Sequence, residues 1–445
     1  MKIKNLSIKM LLMMGLFSLP THAQVYMIGT RSNDVNNTPF ANGVSDDGKV
    51  IGLNSTKQNY IWTEADGIKP VGQLISVDDY SAGSVNITSD GKKAVMLSGN
   101  MASGTNQISV YNISNNTWDY LGSKSTDYNT DLSVPYAITP DASVIVGTAS
   151  PDTYAYSRGI YWKAGNDNFQ TLPSLYPDEY FAAWGVSADS KVMVGYQDNQ
   201  NGTRLGCIWK DGVQTIIVDS NNKPVTSIQT VSGDGKWALG RHGIYAMKWS
   251  EATGVVDLVD PNAATTFTGL TTSSNYDASL IVGYYKSPNA VNPGNGQGFL
   301  WTEKTGFKNL NDLVKDLGFD DLGIRFAVPL KVSTNGKHIV GIGVTSTGNV
   351  AFKITLPDSF MATLNTTKAS VDVKIYPNPA QDILKIDTKE NISKYEIYDM
   401  AGKVVLRNDF KSAENSIDVS KLPKSTYILK MTIDGKEVSK TFIKK

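Results

Sequence analysis

One pattern recurs seven times through most of residues 41–355, and it constrains the fold more than any other feature of the chain. Each unit runs from a short apolar strand through Ser or Thr into a turn of the Asp-Gly kind. An apolar strand ending in Gly follows, and then an aromatic strand, ending in Trp in five of the units. The first unit has Ser45-Asp46-Asp47-Gly48, then Val50-Ile51-Gly52 and Tyr60-Ile61-Trp62. The fourth has Ser187-Ala188-Asp189-Ser190, then Val192-Met193-Val194-Gly195 and Cys207-Ile208-Trp209. The turn residues Asp47, Asp90, Asp141, Asp189, Asp234, Asp277 and Asn335 lie 43, 51, 48, 45, 43 and 58 residues apart. A period in the forties with several short strands per unit is the signature of a propeller blade. Asp-Gly between apolar strands reads as a hairpin turn, because these residues accept positive φ at little cost. The dispersed Asp residues are read as turn formers, not calcium ligands, since a cation site needs several oxygens on one point. The Trp that ends the third strand in these five units is read as packing between blades.

The expected fold is all-β: a seven-bladed β-propeller over residues 24–355, a linker over 356–370, and a small Ig-like β-sandwich over 371–445. The seventh unit runs out after Phe352-Lys353-Ile354 and lacks a fourth strand, while Val25-Tyr26-Met27-Ile28-Gly29-Thr30 is a strand without a unit. The expectation is that this N-terminal strand closes the last blade, which removes an open sheet edge.

The formal charge of zero hides a split. From Val371 onward there are 14 Lys and Arg against 11 Asp and Glu. The stretch between the first 23 residues and Val371 carries 25 basic and 31 acidic residues. A mildly acidic body lacks the basic face that nucleic acid requires, so no nucleic-acid partner is expected. A single cysteine, Cys207, permits no disulfide within the chain and reads as a small core residue. Beyond residue 23 only His242 and His338 remain, so zinc sites and Ser-His or Cys-His catalysis are poorly supplied, and no cofactor or metal is expected.

The last seventy or so residues carry a different set of blocks. Val373-Lys374-Ile375-Tyr376-Pro377-Asn378-Pro379-Ala380 opens them, and Tyr395-Glu396-Ile397-Tyr398-Asp399-Met400-Ala401-Gly402-Lys403 follows. Tyr427-Ile428-Leu429-Lys430 and Phe442-Ile443-Lys444-Lys445 close them. In this order the blocks resemble the type A C-terminal sorting domain of the type IX (Por) secretion system of Bacteroidetes. Ser425 stands where that family has Gly. The resemblance implies a sorting motif at Tyr376, Pro377, Asn378, Pro379, Gly402, Tyr427, Lys444 and Lys445. It also implies the type IX machinery as a partner, and a secreted product that is extracellular or attached to the outer-membrane surface.

The body resembles HAF-type extracellular repeats, best seen in Gly298-Phe299-Leu300-Trp301-Thr302-Glu303-Lys304-Thr305-Gly306-Phe307. That resemblance implies a fold and no activity. Just after it, Leu310, Leu313, Val314 and Leu317 share one face of a short helix that Gly318 is placed to stop. Residues 1–23 have the build of a secretory signal: Lys2, Lys4 and Lys9, the apolar run Met10 to Leu19, and a small residue, Ala23, before Gln24. That run is too short to span a bilayer, and no other stretch is long and apolar enough, so no transmembrane segment is expected.

In a four-stranded blade the tight turns gather on one face of the ring and the long connections on the other. Long loops on a rigid scaffold are where binding usually resides. Here they supply Asp78, Asp79, Tyr80, Tyr128, Tyr154, Tyr156, Tyr176, Asp178, Glu179 and Tyr180, with Trp184 close behind. Aromatic faces stack on sugar rings, and carboxylates bond hydroxyls, which suits a glycan or protein ligand. Two alternatives stay open. One is a glycoside hydrolase or lyase with a carboxylate pair drawn from different blades, since neighbours such as Asp78 and Asp79 cannot flank one bond. The other is a purely structural or adhesive surface protein. A binder is the favoured reading over an enzyme.

Overall fold

A computed structural model describes residues 25–30, 40–55, 58–75, 83–122, 133–149, 157–261, 267–287, 293–365, 373–388, 392–399, 403–409, 416–433 and 436–445. The chain divides into two units, 1–364 and 365–445. The first contains seven four-stranded antiparallel sheets among its described residues, and each is a blade of a β-propeller. The inner strands are Phe40–Val44, Asn86–Ile87, Val134–Ile138, Phe181–Val186, Ser227–Val231, Thr268–Ser274 and Arg325–Val332. Each touches the next in this order, and the last returns to the first, so the inner strands surround a central channel.

The blade pattern rests on a local hydrogen-bond unit. In the first blade the Ser45 hydroxyl donates to Asp47 Oδ1 (2.7 Å) and accepts from the Val50 N–H (3.1 Å). Asp47 Oδ1 also takes the Lys49 N–H, and the Gly48 N–H returns to the Ser45 carbonyl. The same bonds recur at Thr88 with Asp90, Thr139 with Asp141, Ser187 with Asp189, Ser232 with Asp234, and Ser333 with Asn335. The Lys92 N–H on Asp90 and the Ser187 hydroxyl on Asp189 hold those carboxyls below the usual range. The repeated acid is thus consumed by its own turn.

Six of the seven inner strands carry a β-bulge at the same place. In the fourth blade Ala183 pairs with Gly195 and Gly185 with Val194, so Trp184 is the extra residue. Asn42, Tyr136, Gln229, Thr272 and Leu330 are the extra residues of the first, third, fifth, sixth and seventh blades. The bulge also accounts for the Gly of the second strand, which continues for two to four residues beyond it. A Cβ on Gly195 would lie 1.9 Å from the Ala182 carbonyl oxygen, and equally close approaches to inner-strand carbonyls recur at Gly147, Gly240, Gly283 and Gly341.

The seventh blade is completed from the other end of the unit. Val25–Thr30 pairs antiparallel with Gly348–Thr355, with Val25 opposite Ile354 and Met27 opposite Phe352. Ile28 is fully buried with Ile51, Leu53 and Val340, which joins the last blade to the first. Lys353 crosses the same seam, its ammonium 4.0 Å from the Tyr26 ring centroid and 4.8 Å from that of Trp62, with a hydrogen bond to the Gly48 carbonyl (3.1 Å). Lys248 sits likewise between Trp237 (4.7 Å) and Trp301 (4.0 Å). Trp209 is buried and donates to the Pro173 carbonyl. Cys207 is fully buried, and burial pushes its thiol up. Between the sixth and seventh blades a helix, α1 (Leu310–Asp316), buries Leu310, Leu313 and Val314; Asn309 caps its start, and Gly318 follows it at φ +72°. No helix among the described residues is long and apolar enough to cross a membrane.

The second unit is a two-sheet β domain. One sheet holds Lys374–Tyr376, Ile383–Asp387 and Ser416–Asp418; the other holds Val404–Asp409, Ile392–Tyr398, Thr426–Ile433 and Lys436–Ile443. Leu384, Ile386 and Ile417 of the first pack with Ile397, Leu429 and Met431 of the second in one core.

Two predictions test these forces. Gly195→Ala forces a methyl into backbone, so it is expected to destabilise the first unit by about 2 kcal/mol, read by chemical denaturation; an unchanged midpoint would show that the bulge has room to move. His338 sits in the seam, and burial, reinforced by Lys353 and Lys337, lowers its pKa to about 4. A base whose folded pKa lies below its unfolded value of roughly 6.5 opposes protonation of the native state. Its contribution is therefore full above pH 6.5 and is lost as pH falls towards 4, up to about 3 kcal/mol. The expected acid limb in a melting-temperature profile flattens in His338→Gln.

Candidate binding site in the central channel

The bulges aim side chains into the channel. A cavity of about 440 Å³ occupies the half nearer the long connections, and Asn42, Tyr136, Trp184, Gln229, Thr272 and Leu330 all line it. So do several of the residues that follow a bulge, among them Ala137, Thr230 and Lys331. A smaller void of about 80 Å³ continues into the half nearer the tight turns and shares Ala137, Thr230 and Lys331 with the first.

The turn end of the channel is tied together by bonds that run from blade to blade. Asp46 donates its N–H to the Ser89 carbonyl, Ser89 to Pro140, Ala188 to Gly233, Asp234 to Tyr276 and Tyr276 to Thr334. Asn335 then returns to Asp46 through two bonds. Pro140 has no N–H to give, which leaves the step into the fourth blade without such a bond. The hydroxyls of Ser89 and Thr334 hydrogen-bond at 2.8 Å, joining the second blade to the seventh across the first.

On the side of the long connections an aromatic group surrounds Trp184. Its ring lies 4.6 Å from that of Tyr196 and 6.2 Å from that of Tyr136, the latter edge-on. The Arg204 guanidinium stacks 3.7 Å over Tyr196 and 6.0 Å from Trp184. Asp198, opposite Arg204 in the hairpin register, takes its Nε at 3.0 Å. Burial pushes the Tyr196 hydroxyl up to about 12 and raises that of Tyr136. Both phenols therefore stay neutral at physiological pH. Burial opposes the charge of Arg204, but the Asp198 carboxylate and the Tyr196 ring more than offset it, and the guanidinium stays charged.

The loop before the fourth inner strand is held by two buried amides, Gln197 and Gln214, the latter accepting from the Leu175 N–H. Gln197 Nε2 donates to the Tyr176 carbonyl (3.1 Å) and more weakly to that of Tyr180 (3.4 Å); its Oε1 accepts from Ser174. The Glu179 carbonyl accepts from Arg158 (3.0 Å). Among the sequence candidates, Tyr176, Asp178, Glu179 and Tyr180 lie in this loop; Asp178 and Tyr180 are exposed, and Tyr176 and Glu179 half-buried. Trp184 belongs to an inner strand and lines the cavity. Asp78, Asp79, Tyr80, Tyr128, Tyr154 and Tyr156 lie outside the described residues, as do the signal segment 1–23 and linker residues 366–370. Sequence reasoning missed Tyr136, Tyr196, Arg204, Gln229 and Lys331. A fixed offset would have found part of the set: Asn42, Tyr136, Trp184, Gln229, Thr272 and Leu330 each stand three residues before the Ser, Thr or Asn that opens the turn.

In the second unit the first and last sorting blocks meet. Asn378 donates to the Thr441 carbonyl (3.2 Å) and accepts from the Ile443 N–H (2.9 Å). Ala380 is buried and exchanges backbone bonds with Ile443 and Lys445. Tyr376, Pro377, Asn378, Pro379 and Lys445 are exposed, whereas Lys444 is buried. Tyr427 stacks on Phe442 and donates to the Pro423 carbonyl. Gly402 lies outside the described residues. Residues 374–445 match the family model described as the secretion system C-terminal sorting domain. The C-terminal unit is a type IX sorting domain. The sorting domain directs the chain to the cell surface or the extracellular space through the type IX machinery.

No curated protein matches the chain. Solved structures similar to it include a chain of the mitotic checkpoint complex at 14% identity and a TM-score of 0.47, covering 80% of this chain and 98% of that one. Hydrazine synthase of Kuenenia stuttgartiensis is similar at 15% identity and a TM-score of 0.44, covering 73% of this chain and 98% of that one. TolB from Acinetobacter baumannii is similar at 15% identity and a TM-score of 0.38, covering 60% of this chain and 61% of that one.

Gln197→Ala is expected to leave the Tyr176 carbonyl with the Glu179 N–H as its remaining donor and to loosen the loop. Amide hydrogen exchange over residues 174–180 should rise, with about 1–3 kcal/mol lost globally. Unchanged protection would show that the loop is held by other bonds.

Proposed function

We propose that this exported propeller is a binding module that takes a glycan into the long-connection end of its central channel. The observation that carries the reading is Trp184. It is set by a bulge against a cavity of about 440 Å³, between two neutral phenols, with amide side chains such as Gln229 on the same wall. That volume falls within the roughly 300–1,000 Å³ of small-ligand sites. An indole face packs on the apolar face of a sugar ring, and amides pair with its hydroxyls. Tyr176, Asp178, Glu179 and Tyr180 would form the rim, and Asp78, Asp79, Tyr80, Tyr128, Tyr154 and Tyr156 belong to the same proposal through the remaining long connections. The described lining of the cavity contains no Asp or Glu, which favours binding over a hydrolysis that needs two flanking carboxyls.

The same proposal covers the processing of the chain. Residues 1–23 act as a secretory signal, residues 24–355 form a propeller of HAF-type repeats, and 356–370 link it to the sorting domain. The product would come from a member of the Bacteroidetes, released or held at the outer-membrane surface.

A glycan array probed with the full chain tests the binding claim. Trp184→Ala is expected to weaken retention at least about tenfold, the loss of one well-packed aromatic contact. If Trp184→Ala retains glycans while Tyr176→Ala with Tyr180→Ala loses them, the site is the loop surface and the channel reading fails.

A further inference from the structure

Charge in the channel is unbalanced. Lys331 is the residue after the bulge in the seventh inner strand, and it lines both halves of the channel where they join. It thus forms part of the floor of the larger cavity. By area the side chain is half-buried, because the cavity leaves it open surface. Protein still surrounds it closely enough that burial alone holds its ammonium below the ordinary lysine range. Among the described residues no hydrogen bond or ion pair meets that ammonium, and no carboxylate lines either part of the channel. Two guanidinium groups stand nearby. Arg204 uses Asp198, the one carboxylate of the aromatic group, as its partner. Arg241 is half-buried with its Nε unbonded, and burial, together with Arg204, lowers its pKa while Tyr284 opposes the shift. Tyr284, like the wall residues Leu330 and Phe40, packs against the cluster that holds Val328 and Ile342.

A cation crowded by protein with no countercharge beside it is disfavoured. An anion entering the channel would relieve Lys331 and meet a wall of neutral aromatics and amides with no competing carboxylate. We infer that the ligand of the channel is an acidic sugar, whose carboxylate is bound by Lys331 while its ring packs on Trp184. This rests on the glycan reading above and names the class of glycan.

The test uses the full chain and matched disaccharide pairs: glucuronate-containing, galacturonate-containing and sialyl members, each with its carboxyl-reduced or unsubstituted neutral counterpart. Titration calorimetry is expected to show at least one acidic member binding about tenfold or more tightly than its partner, the weight of one charge-assisted contact. Lys331→Met should abolish that difference, bringing the two members of the pair to equal affinity. Equal affinity within every pair would overturn the charge assignment while leaving the glycan reading intact. Binding by no member would overturn the glycan reading. The charge assignment then rests on a ligand-free arm. With no partner to lose, Lys331→Met should raise the unfolding midpoint by about 2 °C or more. A lowered midpoint would mean that the ammonium has a partner within the protein, and the inference would fall.

Discussion

The close approach of five bulged inner strands to a glycine on the neighbouring strand is the contact on which the rest of the propeller depends. Without a Cβ at Gly195, the Ala182 carbonyl can fold over the second strand, and the extra residue Trp184 turns towards the axis. A bulge bends its strand and raises its local twist. Repeated in six of seven blades, it curves the inner strands in the same way and lines the channel with side chains that regular strands would send into the blades. The hydrogen-bonded turns then fix the other end of each inner strand. Scaffold and site are therefore set by one local device.

The two seams that carry a lysine show how neighbouring blades are held where apolar packing alone would leave a polar group stranded. Lys353 and Lys248 each lie deep between two aromatic rings of adjacent blades, with a carbonyl or Glu303 as the polar partner. A desolvated cation over an aromatic face gains about 2 kcal/mol, enough to offset part of its burial. Lys331 has neither ring nor carbonyl among its described contacts. The contrast with the two seam lysines, on the same scaffold, is what gives it meaning.

How much of this was legible in the sequence depends on the range of the interaction. The turn unit is local, so Ser45 and Asp47 revealed their role by spacing alone, as did Gly318 after α1, whereas the Asn309 cap emerged only with the structure. Inter-blade packing by Trp was legible too, because a large aromatic residue recurring at the end of the third strand in five units has few other uses. The channel was hidden by the bulge. Strict alternation places Tyr136 and Ala137, or Leu330 and Lys331, on opposite faces. The extra residue breaks that alternation, and both members of each pair line the cavity. Arg204 and Asp198 escaped for a related reason: they face each other only through the hairpin register, and no short-range motif marks them. Attention to the long connections therefore found Trp184 and missed the wall it belongs to.

A comparison among the blades separates what the fold needs from what the site uses. At the turn opening, the blades carry Ser, Thr or Asn, all of which serve the same hydrogen bonds. At the second-strand close approach five of them carry Gly, because only hydrogen fits beneath the carbonyl. The bulge position instead reads Asn, Tyr, Trp, Gln, Thr and Leu, with no shared size, polarity or shape. A position that packed into the blade would be held to one class by close packing. One that faces open space inside a rigid ring is free to differ, and six different side chains on one wall make an asymmetric surface from a symmetric scaffold. The Ser89 and Thr334 hydroxyls join at the turn end, so the asymmetric surface belongs to the half of the channel nearer the long connections.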